Sequence, residues 1–158
     1  MNRLKQWLEE NPSEKIPELQ FLTDRDWLWL AGRKMPDTED GYRRAMSMTR
    51  LMAEQNFVND LLGPALQQYS HDNNGRFPGD VSQLEPYFKS AVDNAVLQRW
   101  EVLPEGRLVG ELQSQLEEDW YITQKTPVSR ALDQRILRGV KMVHSFAEGP
   151  PNFWDVVP

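Results

Sequence analysis

Apolar positions along the chain fall first into short stripes of helical period, then into one long stripe, then into alternating runs. Leu4, Trp7 and Leu8 stand at i, i+3 and i+4 and predict a short helix with one apolar face. Thr23 is placed to cap the next helix, with Asp24 and Asp26 in a first turn that favours negative charge. Gly32 predicts a left-handed cap at its end. Trp27 and Trp29 lie two apart, so a single helix face cannot hold both. One belongs to the core; the other covers the N-terminal junction or meets a partner.

The dominant element is a helix from about Thr38 to His71 with Asp37 as its candidate N-cap. Tyr42, Ala45, Leu51, Val58, Leu61, Leu62, Ala65, Leu66 and Tyr69 recur at helical spacing along it. Pro64 removes the hydrogen bond to the carbonyl of Asp60, and with Gly63 beside it predicts a kink or a short break. The helix ends at Asp72-Asn73-Asn74-Gly75, residues that tolerate left-handed backbone, and Pro78-Gly79 is a second turn signal. Asp80 and Gln83 form a variant capping box for a short helix through Leu84. Phe77, Val81, Leu84, Tyr87 and Phe88 are then expected to fold back onto the rod. Asp93 is a candidate cap for a single-turn helix, Asn94–Gln98.

Beyond residue 98 the period changes. Arg99–Pro104 and Trp120–Gln124 are short, β-branched and aromatic, bounded by Pro, Gly or charge, and predict strands. The polar segment Glu111 to Asp119 reads as an exposed loop or loose helix. Gln134–Phe146 fits a helix through Leu132, Ile136, Val140 and Val143, or strands through Gly139 and the alternation that follows it; the strand reading is favoured. The expected fold is α+β: one long helix, kinked at Pro64, packed on a small antiparallel sheet, with short N-terminal helices. A single domain, 1–158, would comprise an N-terminal helical extension (1–36), the long helix with short helices (37–98), the sheet (99–146) and a tail (147–158).

Composition agrees with a folded chain: of 158 residues, 39% are hydrophobic and 27% charged, enough for one core. The net charge of -6 argues against general nucleic-acid binding or adsorption to anionic membranes. Lys125, Arg130, Arg135, Arg138 and Lys141 face only Asp133 in their own stretch, and this local basic excess is expected to be solvated. The absence of cysteine removes disulfides and thiol chemistry. The longest apolar run, Trp27–Ala31, is far short of the roughly 20 residues of a membrane helix. The N-terminus, MNRLKQWLEENPSEK, turns charged too early for a secretory signal. The default expectation is a cytoplasmic chain without membrane insertion.

Candidate chemistry is sparse. His71 and His144 are the only histidines, and neither sits in a zinc-ligand spacing. His71 beside Asp72, with Asp80 nearby, is an acid–base candidate; a histidine at a helix C-terminus is more simply a dipole partner. Asp72–Gly75 has hard oxygen donors, but an EF-hand counted from Asp72 would put Arg76 at its fifth position and Gln83 at its twelfth. Glu117-Glu118-Asp119 reads as a surface acidic patch. There is no GxSxG, glycine-rich phosphate loop or Walker-type lysine. The expectation is therefore a non-enzymatic structural or interaction protein without cofactor or metal, with Trp7, Trp27 and Trp29 as a possible surface for a protein partner or self-association. The alternatives are a small-ligand or cation site at Asp72–Gly75 and, less readily, an enzyme using His71 and Asp72.

One stretch carries a resemblance. LGPALQQYSHDNNGRFPGDVSQLEPYF, residues 62–88, resembles the helix-to-loop passage of bacterial pseudopilins and type IV pilin-like proteins, with Leu66, Tyr69, Asp72, Asn73, Gly75, Phe77, Pro78 and Leu84 in comparable positions. That resemblance implies a small antiparallel sheet packed on the long helix, a structural or assembly role, and, for some members, calcium in the C-terminal loop. The tail AEGPPNFWDVVP offers Glu148 and Asp155 as its carboxylates. Where those proteins carry a membrane-inserting helix, this chain reads MPDTEDGYRRAMSMTR. The whole chain also resembles a group of bacterial proteins through IPELQFLTDRDWL, FPGDVSQLEPYF, VDNAVLQRWEVLP and WYITQKTPV, a likeness that implies no activity.

Overall fold

The computed structural model describes residues 3–109, 113, 116–146 and 154–156. Its N-terminal part is α1 (Arg3–Glu10), two 3-10 turns (Pro12–Glu14 and Pro17–Phe21) and α2 (Asp24–Ala31). Thr23 caps α2 through a reciprocal box: its hydroxyl accepts from the Asp26 N–H while the Asp26 carboxylate accepts from the Thr23 N–H. Those donors hold the Asp26 carboxyl below its usual pKa. Gly32 does not adopt the left-handed cap. It keeps a right-handed φ of -76° and donates its N–H to the Leu28 carbonyl, which ends the helix without a backbone reversal.

The rod consists of α3 (Glu39–Phe57), a π-helical turn (Val58–Leu62) and α4 (Gly63–Asp72). Thr38, and not Asp37, is its N-cap: the Thr38 hydroxyl accepts from the Gly41 N–H at 3.0 Å. Asp37 instead accepts from the Tyr42 hydroxyl. Pro64 has the foreseen effect in a specific form. The ladder widens by one residue just before it, the Gly63 N–H reaching the Val58 carbonyl, so helical direction continues past the missing donor. At the other end, a Cβ on Gly41 would stand 2.3 Å from the carbonyl oxygen of Pro36. Gly41→Ala should therefore destabilise by about 1–3 kcal/mol even though alanine favours helix, and chemical denaturation will check the sign.

The corner after α4 forms as its residues require. Asn74 and Gly75 take φ of 58° and 79°, and the Gly75 N–H donates back to the Ser70 carbonyl at 2.7 Å. Asp80 and Gln83 make the capping box, and the element they start is a 3-10 helix, Val81–Tyr87. α5 (Asn94–Leu97) follows, but Asp93 caps it with its backbone carbonyl only; the Asp93 carboxylate accepts from Gln20 instead.

Four strands then form an antiparallel meander in sequence order: β1 (Trp100–Pro104), β2 (Trp120–Gln124), β3 (Arg135–Arg138) and β4 (Val143–Phe146). Trp100 pairs with Gln124 and Arg138 with Val143, so the ambiguous 134–146 segment is a hairpin. Period-two alternation divides the sheet. Trp100, Ile122 and Ile136 meet Phe57, Val58, Leu62 and Leu66 of the rod. Leu103, Tyr121 and Leu137 pack on the opposite face with Leu108 and Val156. That second face is also closed by Trp154, over whose ring the Arg135 guanidinium lies at 5.5 Å. The tail thus takes part in packing, and Glu148 lies outside the described residues.

The 125–141 basic stretch is solvated only in part: Lys125, Arg130 and Lys141 are exposed as expected, whereas Arg135 and Arg138 are not. Arg135 is fully buried and donates to the Thr123 hydroxyl, Arg130 pairs with Asp155 at 2.6 Å, and Asp133 is committed to Arg50. Of the predicted Glu111–Asp119 loop, residues 113 and 116–119 are described, and 111, 112, 114 and 115 lie outside the described residues. Among those described, no helix is long and apolar enough to cross a membrane.

Candidate functional site

The three tryptophans of the N-terminal segment take different positions. Trp7 stacks on Tyr42 at 5.8 Å and 6°, and Trp27 lies under the Lys5 ammonium at 4.8 Å. Both are half-buried against the cluster of Leu4, Leu8, Leu30, Ala45 and Met46 that fixes α1 and α2 on the first half of the rod. Trp29 points elsewhere and is 49% exposed, with the Arg33 guanidinium 4.8 Å over its ring. Its neighbour Leu28 is 74% exposed. Of the three, Trp29 is the exposed one, and Leu28 beside it on α2 is a leucine that sequence reading did not select.

His71 is exposed at the end of α4. Asp72 beside it accepts from Gln68 one turn earlier, and Asp80 is held below its usual pKa by the Ser82 hydroxyl and N–H. The three are not gathered into one constellation. In the Asp72–Gly75 turn, Asn73 donates its amide to the Tyr69 carbonyl, and the Asn73 carbonyl accepts from Arg76. No cluster of three metal-ligating side chains occurs among the described residues.

The corner nevertheless faces a cleft of about 710 Å³. One wall is the Gly75–Gly79 turn, the floor includes Val102, and the other wall is the 117–120 segment with Val140 and Lys141. Phe77 and Trp120 stack across it, ring centroids 6.4 Å apart and 20° from parallel, and Trp120 remains 44% exposed. The acidic run read as a surface patch has a divided role. Glu118 accepts from the Lys141 and Met142 N–H groups and locks the β3–β4 turn, closing over Gly139 where a Cβ would find no room. Glu117 and Asp119 border the cleft.

Two buried ionic clusters escaped sequence reading altogether. Arg50 donates through Nε and Nη2 to the Asp133 carboxylate and through Nη1 to the carbonyl and the carboxylate of Glu14. Arg99 pairs with Glu18 and Glu54, while the Trp100 indole N–H donates to Glu18 at 2.8 Å and the Gln124 amide donates to Glu54. Burial pushes the Glu54 carboxyl up from 4.5 to about 7, against the pull of Arg99. Each cluster ties the N-terminal turns to the rod and to the β-sheet half. Their carboxylates are taken up by guanidinium, indole and amide donors inside the protein. Comparison with family models, curated proteins and solved structures returned no match.

Proposed function

We propose that the protein is a non-catalytic structural or interaction protein, a pseudopilin-like head whose N-terminal helices present Leu28 and Trp29 to a protein partner or a second copy. The exposed Leu28–Trp29 pair carries this reading. An apolar pair is kept in water on a short capped helix whose other side is fully engaged, an expense that a contact surface would offset. The long rod against a small antiparallel sheet, joined by the Asn74–Gly75 corner, supports the pseudopilin-like part.

Deleting residues 1–36 would be a poor test, because it removes Glu14 and Glu18 from buried Arg50 and Arg99. The cleaner variant is Leu28→Ser with Trp29→Ser. Both side chains are exposed, so stability should change by less than about 1 kcal/mol. Sedimentation and cross-linking in the native host should show a complex that the full chain forms and the double variant loses. Identical sedimentation and identical cross-linked partners for both proteins would reject this surface.

A small-ligand role is favoured second, because the corner borders the cleft. Calorimetry with calcium separates the cation version from the rest: heat on mixing and a raised Tm would restore it.

A further inference from the structure

The cleft beside the corner has three properties that belong together. Its size falls within the roughly 300–1,000 Å³ of small-ligand pockets. It offers an aromatic platform, Phe77 stacked on a half-exposed Trp120, at the mouth of β2. Around that platform stand charged ends of both signs, Arg76 and Lys141 with Glu117 and Asp119, none of which joins an ion pair among the described residues.

The walls are fixed before any ligand arrives. The Tyr121 hydroxyl accepts from the Glu117 and Glu118 N–H groups, and the Asp119 carbonyl accepts from the Glu105 N–H at 2.8 Å. On the facing side, Gln83 Oε1 accepts from the Gly79 N–H at 2.7 Å, and the Gly75 and Arg76 N–H groups bond back into the corner. Such preorganisation removes part of the ordering cost of binding.

We propose that this cleft binds a short neutral oligosaccharide, with the exposed part of the Trp120 ring as the platform for one sugar ring and Phe77 backing it. A pyranose presents a face of C–H bonds that lies on an aromatic ring and a rim of hydroxyls that both donate and accept. Glu117 and Asp119 supply acceptors for that rim, and Arg76 and Lys141 supply donors. Glu118 also lines the cleft, but its carboxylate is taken up by the Lys141 and Met142 N–H groups; two free acids then stand against two bases, which favours neither an anion nor a cation and points to an uncharged ligand. This inference does not rest on the Leu28–Trp29 reading, which concerns α2 at the N-terminal end of the rod.

The test is an NMR titration of the full ¹⁵N-labelled chain with cellotetraose, maltotetraose, xylotetraose and chitotetraose, alongside inorganic phosphate, a heparin tetrasaccharide and an acidic peptide. At least one neutral sugar should shift the Trp120 indole signal and the amides of 75–79 and 117–120 at millimolar concentration. Trp120→Ala should weaken that binding about tenfold or more, while Trp120→Phe retains an intermediate affinity. His71→Ala, at an exposed site outside the cleft lining, should leave it unchanged. Three results overturn the proposal: no neutral sugar shifts these signals, only a charged probe or the peptide does, or a sugar binds equally well to Trp120→Ala. The titration of the unaltered chain decides the first two even if Trp120→Ala fails to fold.

Discussion

Replacing Arg50 with alanine is expected to cost about 3–5 kcal/mol, the largest loss from any single exposed-looking charge in the sequence. Arg50 is 1% exposed in spite of its place on a helix that is polar on much of its surface. Its Nε and Nη2 grip Asp133 at 3.2 and 2.7 Å, and its Nη1 reaches the Glu14 carboxylate at 2.6 Å. Removing the guanidinium leaves two carboxylates facing a void of low polarity. Asp133 would keep the Val128 and Ser129 N–H groups as donors, but no positive charge. For a chain of this length the loss corresponds to a fall in Tm of roughly 10 °C. Arg50→Lys should recover only part of it, because an ammonium cannot reproduce the two-pronged contact with Asp133 while also reaching Glu14. Denaturant melts of both variants, and of Arg50→Met with Asp133→Asn, will check this. A loss below about 1 kcal/mol for Arg50→Ala would mean that the cluster is solvated in solution.

The contrast between Arg50 and the rod that carries it shows where sequence reading succeeds. The rod was legible because its information is local: apolar residues recur at helical spacing, and Asn74–Gly75 and Asp80/Gln83 stop and restart the chain through neighbours a few residues away. An interruption at Pro64 was legible for the same reason, but its form as a π-turn was not. The choice of Thr38 over Asp37 as cap was less so, since both side chains suit the position and only the reach to the Gly41 N–H decides. The ionic clusters are different in kind. Arg50 meets residues 36 and 83 positions away, and Trp100 meets Glu18 across 82. In the sequence each looks like an ordinary solvated charge.

Sites divide along the same line. Exposed aromatics on one short helix could be nominated from spacing, but which of Trp7, Trp27 and Trp29 stays wet depends on Tyr42 and Lys5, residues of other elements. The cleft needs the corner at 75–79 beside the 117–120 segment, which the folded rod and sheet alone bring together. Arg135 inverts its sequence reading most fully: it was one of a run of surface cations and is instead sandwiched between Thr123 and Trp154, where burial pulls its pKa down to about 10. Ionisable groups thus serve as internal fasteners in this protein, joining segments that the hydrophobic pattern treats as separate.

The fastener at Glu54 should give the protein an unusual dependence of stability on pH. Glu54 is 4% exposed, and burial raises its carboxyl from 4.5 to about 7 in the folded chain. The folded state therefore holds a proton that the unfolded state releases near 4.5. The stabilisation is complete below that value, declines as pH rises, and is lost above about 7. A shift of this size corresponds to about 3 kcal/mol between pH 4.5 and 8. Asp26 and Asp80 act in the opposite sense, since their folded pKa values are lowered; their contribution is present above about 3.8 and lost below it. Between the two regimes stability should peak near pH 5, with Tm falling several degrees by pH 8. Glu54→Gln keeps an acceptor for the Gln124 amide and removes the titration, so its Tm should be nearly flat from pH 5 to 8 and should exceed that of the parent at the alkaline end. Parallel thermal melts of the two proteins across that range decide the matter: a parent that gains stability toward pH 8, or a variant with the parent's slope, would show that Glu54 is ionised in the folded chain.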